Sequence, residues 1–160
     1  MRAIMFTLIT VLASMTCGYA QAASPFERFG GHWAGTGTID LSNGTHEPLR
    51  CRASYDLLDQ NNTLELSIRC ASDSYNFDLL GSAKYDAGAV SGTWTEATRN
   101  AAGRISGNAK GDGFQVTATG PTFTANLTLT VRGDRQAVVI QSGEAKTGIT
   151  RASLNLKRDN

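Results

Sequence analysis

Two cysteines occupy matching positions on a pair of alternating segments, and this match constrains the fold more than any other feature of the chain. Apolar residues take every second position in residues 49–57 and again in residues 64–70, on either side of a polar segment at 59–62. Such alternation around a polar loop is typical of a β-hairpin. One register gathers the apolar residues on one face and aligns Cys51 with Cys70, within reach of a disulfide. Because no Asn-Gly or Asp-Gly stands at the centre, we expect a four-residue loop around a type I turn.

The opposite face of the predicted hairpin brings like charges together. Arg52 falls opposite Arg69, with Arg50 nearby, and Asp56 falls opposite Glu65. Like charges directly across a ladder cost some tenths of a kcal/mol, so each pair requires a partner from elsewhere. Neighbouring strands or solvent could supply that partner. Alternatively, the three arginines form a surface site for an anionic ligand or a protein partner.

The first residues of the chain predict export. An apolar stretch at residues 4–12 follows the positive charge of Arg2, and residues 20–22 (Ala-Gln-Ala) match the small-x-small pattern that signal peptidase prefers. We therefore predict a signal peptide over residues 1–22, with cleavage after Ala22. The apolar stretch is too short to span a membrane.

Composition limits the partners of the predicted mature chain, residues 23–160. The sequence carries 15 Lys and Arg against 14 Asp and Glu, and removal of Arg2 brings this balance close to zero. Such a balance gives no reason to expect nucleic acid or an anionic membrane surface as a partner, and we predict no transmembrane span in the mature chain. Cys51 and Cys70 remain as an even pair, which suits an oxidising compartment, so the expected location is periplasmic or extracellular.

Further alternating segments continue on both sides of the hairpin, separated by turn residues, and none shows a helical period. Segments 88–92 and 103–107 each hold a glycine inside a strand, which marks a bend or a close approach of two backbones. Mostly short connections favour a meander, and closure of the meander removes its exposed edges. We predict an all-β fold, an antiparallel up-and-down β-barrel of about 8–10 strands that forms a single domain over residues 23–160.

The segment before the hairpin predicts the first strand of this barrel. Residues 31–41 alternate and end at the turn residues Ser-Asn-Gly-Thr. We expect this strand to pair with the hairpin so that the ring of Tyr55 covers the bare backbone of Gly35. The same register would place Asp40 beside Arg50 and give that arginine a counter-charge.

The tripeptide Gly31-His32-Trp33 resembles the Gly-x-Trp signature on the first strand of lipocalins and their calycin relatives. In that family the tryptophan closes the barrel floor and an arginine of the final strand packs over it. The resemblance implies this role for Trp33, with Arg151 as the best-placed arginine and Arg158 as the second. It also implies a calycin-like cup of eight to ten strands that binds a small apolar or amphipathic molecule.

Catalytic motifs are not found in the sequence. His32 and His46 are the two histidines, and neither stands in a hydrolase, zinc-protease or Cys-His context. Asp78 and Glu96 could in principle form a carboxylate pair, but nothing in their spacing selects them, and we expect Glu96 to be a solvated acid at a strand end. The sequence thus predicts a protein that is not an enzyme and has no metal and no cofactor.

The remaining functional signal is a set of aromatic side chains expected to point inward: Trp33, Tyr55, Phe77, Trp94, Phe114 and Phe123. They either fill the core or line a ligand cavity. The leading hypothesis is a secreted or periplasmic, non-catalytic β-barrel that binds a small apolar or amphipathic ligand against this set, with the surface site at Arg50, Arg52 and Arg69. The alternative is an envelope interaction protein or secreted inhibitor with a solid barrel, which acts through its surface loops.

Overall fold

The structure is a computed structural model, and it describes residues 23–121, 123–143 and 148–159. The predicted signal peptide, residues 1–22, lies outside the described residues. A short 3₁₀ helix (Pro25–Arg28) precedes ten strands. The strands are β1 (Gly31–Leu41), β2 (His46–Leu58), β3 (Thr63–Ala71), β4 (Asn76–Asp86), β5 (Ala89–Glu96), β6 (Ala101–Lys110), β7 (Gly113–Gly120), β8 (Phe123–Arg132), β9 (Arg135–Ser142) and β10 (Ile149–Asp159).

The ten strands form one closed antiparallel barrel. Each strand pairs with the next along the chain, and β1 pairs with β10 to close the sheet. Apolar alternation gives every strand one face for the interior and one for the outside. The predicted all-β, up-and-down, calycin-like barrel is therefore confirmed.

The central hairpin has the predicted register and the predicted crosslink. Cys51 lies opposite Cys70, and the two form a disulfide. The loop has four residues, and the amide of Asn62 donates to the carbonyl of Asp59 at 3.1 Å. The expected type I turn is wrong, because the central residues Gln60 and Asn61 have φ angles of 56° and 69°. Asp59 also has a positive φ of 51°, so three consecutive loop residues are left-handed, whereas both central residues of a type I turn have negative φ.

The predicted register between β1 and β2 is wrong by four residues. Tyr55 lies opposite Gly31 instead of Gly35, and Asp40 lies opposite His46 instead of beside Arg50. The strands are joined by a tight turn over residues 42–45, so pairing begins at His46. The inward and outward faces were nonetheless predicted correctly, because a shift by an even number of residues preserves them.

Aromatic side chains close one end of the barrel, hereafter the closed end. Phe26 lies within the 3₁₀ helix and Phe29 directly follows it, and both side chains are fully buried. The Phe26 ring meets the Phe114 ring edge-on at 5.5 Å, and the Phe29 ring meets the Tyr55 ring edge-on at 5.8 Å. Trp33 donates from Nε1 to the carbonyl of Phe29 at 2.7 Å. The segment before β1 is therefore a plug that fills this end of the barrel.

The arginine that packs over Trp33 is Arg158, and the preference for Arg151 is wrong. The Arg158 guanidinium carbon lies 4.3 Å from the Trp33 ring centroid. Its nitrogens donate to the carbonyl of Gly30 and, at 2.9 Å, to that of Arg28. Arg158 reaches the plug because it lies directly opposite Trp33 on β10, whereas Arg151 lies near the other end of that strand.

Interior glycines allow neighbouring strands to approach each other closely, as the sequence predicted. A Cβ atom built on Gly92 would overlap the carbonyl oxygen of Ser82, and one on Gly107 would overlap that of Gln115. Only glycine fits such a contact without a shift of the backbone. A larger residue at either position would therefore force the neighbouring strands apart.

Reduction of the disulfide tests the covalent part of this fold. In the chain-entropy model, opening a loop of this length should lower the free energy of unfolding by about 3 kcal/mol. Urea unfolding with and without dithiothreitol measures the change. The double variant Cys51→Ala/Cys70→Ala should show the lower stability and no response to the reductant. Equal stability of the oxidised and reduced protein would contradict the prediction.

Substitution of Arg158 tests the closed end. Arg158→Ala removes a cation–π contact and two charge-assisted hydrogen bonds, and we expect a loss of about 2 kcal/mol in the free energy of unfolding. Arg151→Ala is the matched control on the same strand and should change stability by less than about 0.5 kcal/mol. Urea denaturation followed by tryptophan fluorescence measures both. A similar loss in the two variants would contradict the assigned role of Arg158.

Candidate ligand site in the open half of the barrel

The half of the barrel next to the plug has a filled interior. Its inward-facing aliphatic side chains are at most 5% exposed: Val90, Val116, Leu129, Val131, Val138, Leu154 and Leu156. Gln136 is also buried here and donates from Nε2 to the Tyr55 hydroxyl at 2.7 Å. Burial raises the pKa of Tyr55 well above its ordinary value, so its phenol stays neutral. The side chains of this half therefore form the core of the barrel.

The interior of the other half, hereafter the open half, is less completely filled. Inward-facing aliphatic side chains from six strands keep partial exposure there: Leu66, Leu79, Ile105, Leu127, Ile140 and Ala152. Leu127, Ile140 and Ala152 lie side by side across β8, β9 and β10. An inward side chain of a closed barrel is exposed where solvent reaches it from the mouth or the lumen. Ile39 and Ala125 of the same half are fully buried, so this half is accessible only in part.

The six aromatic residues predicted to line a site divide between the two halves. Trp33, Tyr55 and Phe114 belong to the closed end, where they pack against the plug. Phe77, Trp94 and Phe123 belong to the open half. Sequence reasoning missed the aliphatic lining of the open half, although the alternation of β8, β9 and β10 already placed Leu127, Ile140 and Ala152 on the inward face.

Trp94 lies against the inner wall of the open half. Its ring meets the Phe123 ring edge-on at 5.8 Å. A Cβ atom on Gly103 would stand 2.8 Å from Trp94 Cε2, and one on Gly120 would stand 3.1 Å from Cζ2. The two glycines therefore make room for the indole. Among the described residues, Trp94 Nε1 is one of two buried side-chain polar atoms without a hydrogen-bond partner, the other being Gln136 Oε1.

A buried carboxylate organises the loop at the rim of the open half. Glu96 is only 8% exposed, so the expected solvated acid is wrong. It accepts hydrogen bonds from the Thr98 hydroxyl at 2.6 Å and from the amides of Arg99 and Asp78 at 2.8 and 3.0 Å. Burial raises the pKa of Glu96, but these hydrogen bonds outweigh burial and hold the pKa below its ordinary value. The carboxylate is therefore charged and fully engaged in the loop.

Arg99 and two aromatic rings complete the rim. The Arg99 guanidinium carbon lies 4.8 Å from the centroid of Phe77, whose ring stacks on that of Tyr75 at 6.3 Å. Arg99 Nη1 also donates to the carbonyl of Asn76 at 3.1 Å and lies 3.4 Å from Glu96. Its side chain remains 38% exposed. The rim thus presents a cation with its position fixed beside apolar rings.

Asp78 and Glu96 do not face one another as a carboxylate pair. Glu96 occupies an inward position on β5, whereas the Asp78 carboxylate lies 3.4 Å from Nε of Arg69 on the outer wall. The link between the two residues is the backbone amide of Asp78. In the described parts of the chain, no group of three or more His, Cys, Asp or Glu residues could hold a metal ion.

The three arginines of the hairpin lie on the outer wall. Arg52 and Arg69 are directly opposite each other, as predicted, and both line an outer groove of about 380 Å³. Arg50 lies further along β2, opposite Thr36 and Ala71, and is not part of the groove lining. The groove and the lumen are therefore separate candidate sites.

These features define the class of the protein as a calycin-like antiparallel barrel with one plugged end. No protein-family model and no curated protein matches the sequence. Within the described ranges, no helix is long and apolar enough to cross a bilayer.

Two solved structures share the fold. The crystal structure of Rv2717c from M. tuberculosis superposes with a TM-score of 0.69 at 13% identity, over 86% of this chain and 94% of that chain. The S-type phycobiliprotein lyase CPES from Guillardia theta superposes with a TM-score of 0.58 at 16% identity, over 84% and 90% of the two chains. At such identities, the likeness shows the fold alone.

The pH dependence of stability tests the buried carboxylate. Because the folded-state pKa of Glu96 is lowered, its charge stabilises the fold fully at neutral pH, and this contribution is lost as the pH falls below about 4.3. Glu96→Gln should therefore unfold more easily than the wild type at pH 7, and the difference should shrink towards pH 3. Urea unfolding across this range measures the difference. Asp73→Asn, an exposed change in a nearby turn, should show no such trend; a parallel trend in both variants would contradict the assignment.

Proposed function

We propose that the protein is exported and binds a small apolar or amphipathic molecule in the open half of its barrel, without catalysing a reaction on it. The observation that carries this proposal is the partial exposure of inward-facing aliphatic side chains on six strands of a closed barrel. Ligand sites are typically apolar hollows with a few polar groups, and this lumen has that composition. Residues 1–22 and the Cys51–Cys70 disulfide support export.

The polar groups of the site favour an amphipathic ligand with an acceptor at its polar end. Its apolar part would lie against the aliphatic ring and the rings of Phe77, Trp94 and Phe123. Its polar end would meet the exposed part of Arg99 at the rim. Trp94 Nε1 is a second donor, and an acceptor on the ligand would relieve the cost of leaving it unpaired.

The state of Glu96 supports a binding role without catalysis. A general acid or base needs a carboxyl group whose pKa lies near the working pH and which can reach the substrate. Glu96 has a lowered pKa, and its oxygens accept hydrogen bonds from the rim loop. The name of the Guillardia theta neighbour describes a lyase, but a lyase activity would need a different reactive group in this chain.

A neutral apolar dye, N-phenyl-1-naphthylamine, tests the lumen site. The wild-type protein should bind it with a saturable rise in dye fluorescence. Ala152→Phe places a ring in the open half and should weaken binding at least about tenfold, because the ring occupies the space of the dye. Asn155→Phe adds the same ring on the outer face of β10 and should bind like the wild type.

Leu127→Phe is a second variant that places a ring in the open half, so the test does not depend on Ala152→Phe alone. Circular dichroism shows whether each of the two variants is folded. Unchanged dye binding in folded filling variants would contradict the lumen site. A wild-type protein that ignores the dye would favour the alternative of a barrel that acts through its surface.

A further inference from the structure

The outer wall of strands β1 to β3 has its own polar groove, which the lumen does not use. Two neighbouring cross-strand rows form it. His32 lies opposite Ser54, and Ser54 lies opposite Ser67; in the next row Arg52 lies opposite Arg69. All five residues line the groove of about 380 Å³. The groove is open above the two serines because their side chains are small, and the two arginines line one side of it.

We propose that this groove binds a tetrahedral oxyanion, the phosphate or sulfate group of a ligand. Serine hydroxyls, an imidazole and two guanidinium groups are all donors to such an anion, and guanidinium groups can bind it in a bidentate manner. Directly opposite residues of a ladder have Cβ atoms about 4.5–5.5 Å apart, so one anion can reach both arginines.

The charges around Arg52 explain why an anion is favoured there. Arg69 has a weak link to Asp78, with 3.4 Å between Nε and the carboxylate. Arg52 has Ala34 and Arg69 as its two cross-strand neighbours. Among the described residues, no carboxylate oxygen lies within 4 Å of the Arg52 guanidinium. The like-charge pair is therefore unfavourable as it stands, and a shared anion would turn the repulsion into two attractions.

Among the described residues, some arginines outside the groove have carboxylate partners, whereas Arg50 and Arg104 have none within 4 Å. Arg28 and Arg132 both reach Asp112, at 2.8 and 3.3 Å. Asp159 also lines the groove, but it lies beyond His32, in the row that does not contain the arginines. Asp56 and Glu65 lie opposite each other in the row beyond the two serines, on the same outer face. These carboxylates oppose an anion at the serine side of the groove, so the anion site is centred on Arg52 and Arg69.

Inorganic phosphate is the probe for the site. In ¹⁵N-resolved NMR titrations against chloride at equal ionic strength, the amides of Ser54 and Ser67 should shift saturably. The amides of Thr117 and Asn126, on the opposite wall, should not move. Arg52→Gln and Arg69→Gln should each raise the dissociation constant at least about tenfold, since each removes charge-assisted hydrogen bonds. Arg104→Gln, an exposed outward arginine of β6, should leave it within about twofold of the wild type.

Vesicles distinguish the source of the phosphate group. Sedimentation with phosphatidic acid vesicles, lost in Arg52→Gln and not in Arg104→Gln, would identify a membrane-held phosphate; phosphate binding without sedimentation would identify a free ligand. An equal effect of all three arginine variants would overturn the proposal, as would shifts that chloride reproduces. Variants of Arg52 or Arg69 that only gain stability, with phosphate binding unchanged, would also overturn it. Dye binding in the lumen should be the same in these variants, so the two sites can fail separately.

Discussion

Pairing between β1 and β10 is the contact on which the rest of the structure depends. Without it the sheet would be an open meander with two unpaired edges, which are sites of aggregation. The same ladder places Trp33 directly opposite Arg158, and this pair holds the plug through the carbonyls of residues 28 to 30. Closure of the sheet and closure of its floor thus depend on the same pair of strands, because Trp33 and Arg158, which hold the plug, lie opposite each other on β1 and β10.

Because the plug closes only one end, the two halves of the interior are packed differently. The plug supplies two fully buried phenyl rings to the half next to it, whose inward aliphatic side chains are almost completely buried. Among the described residues, no corresponding segment enters the open half, where several inward aliphatic side chains remain partly accessible. The charged side chains of the two candidate sites are also separated. Glu96 and Arg99 define the rim of the lumen, whereas Arg52 and Arg69 face outward on another wall.

Local sequence patterns predicted the strands and the inward-facing residues well. They predicted less well at which end of the barrel each inward residue lies. The hairpin register followed from alternation and from Cys51 and Cys70, because a single pairing satisfied both. The pairing of β1 was missed by four residues, since alternation specifies only whether a side chain points inward. The same limit applies to the aromatic set: the sequence indicated an inward Phe114 and an inward Phe123, but their positions at opposite ends depend on the offsets between strands. The choice between Arg151 and Arg158 is different, because alternation alone could have made it: Arg158 shares the inward face of β10 with Leu154 and Leu156, whereas Arg151 lies on the outer face.

The meeting of the two chain ends also sets an order of events during synthesis. Trp33 leaves the ribosome long before Arg158 is made, and β1 has only one neighbour until the final strand exists. An incomplete chain therefore cannot close, and it presents a bare strand edge to any chaperone that holds it. Contacts between such distant segments form slowly. A chain with this topology therefore remains an unclosed sheet until its last strand is available.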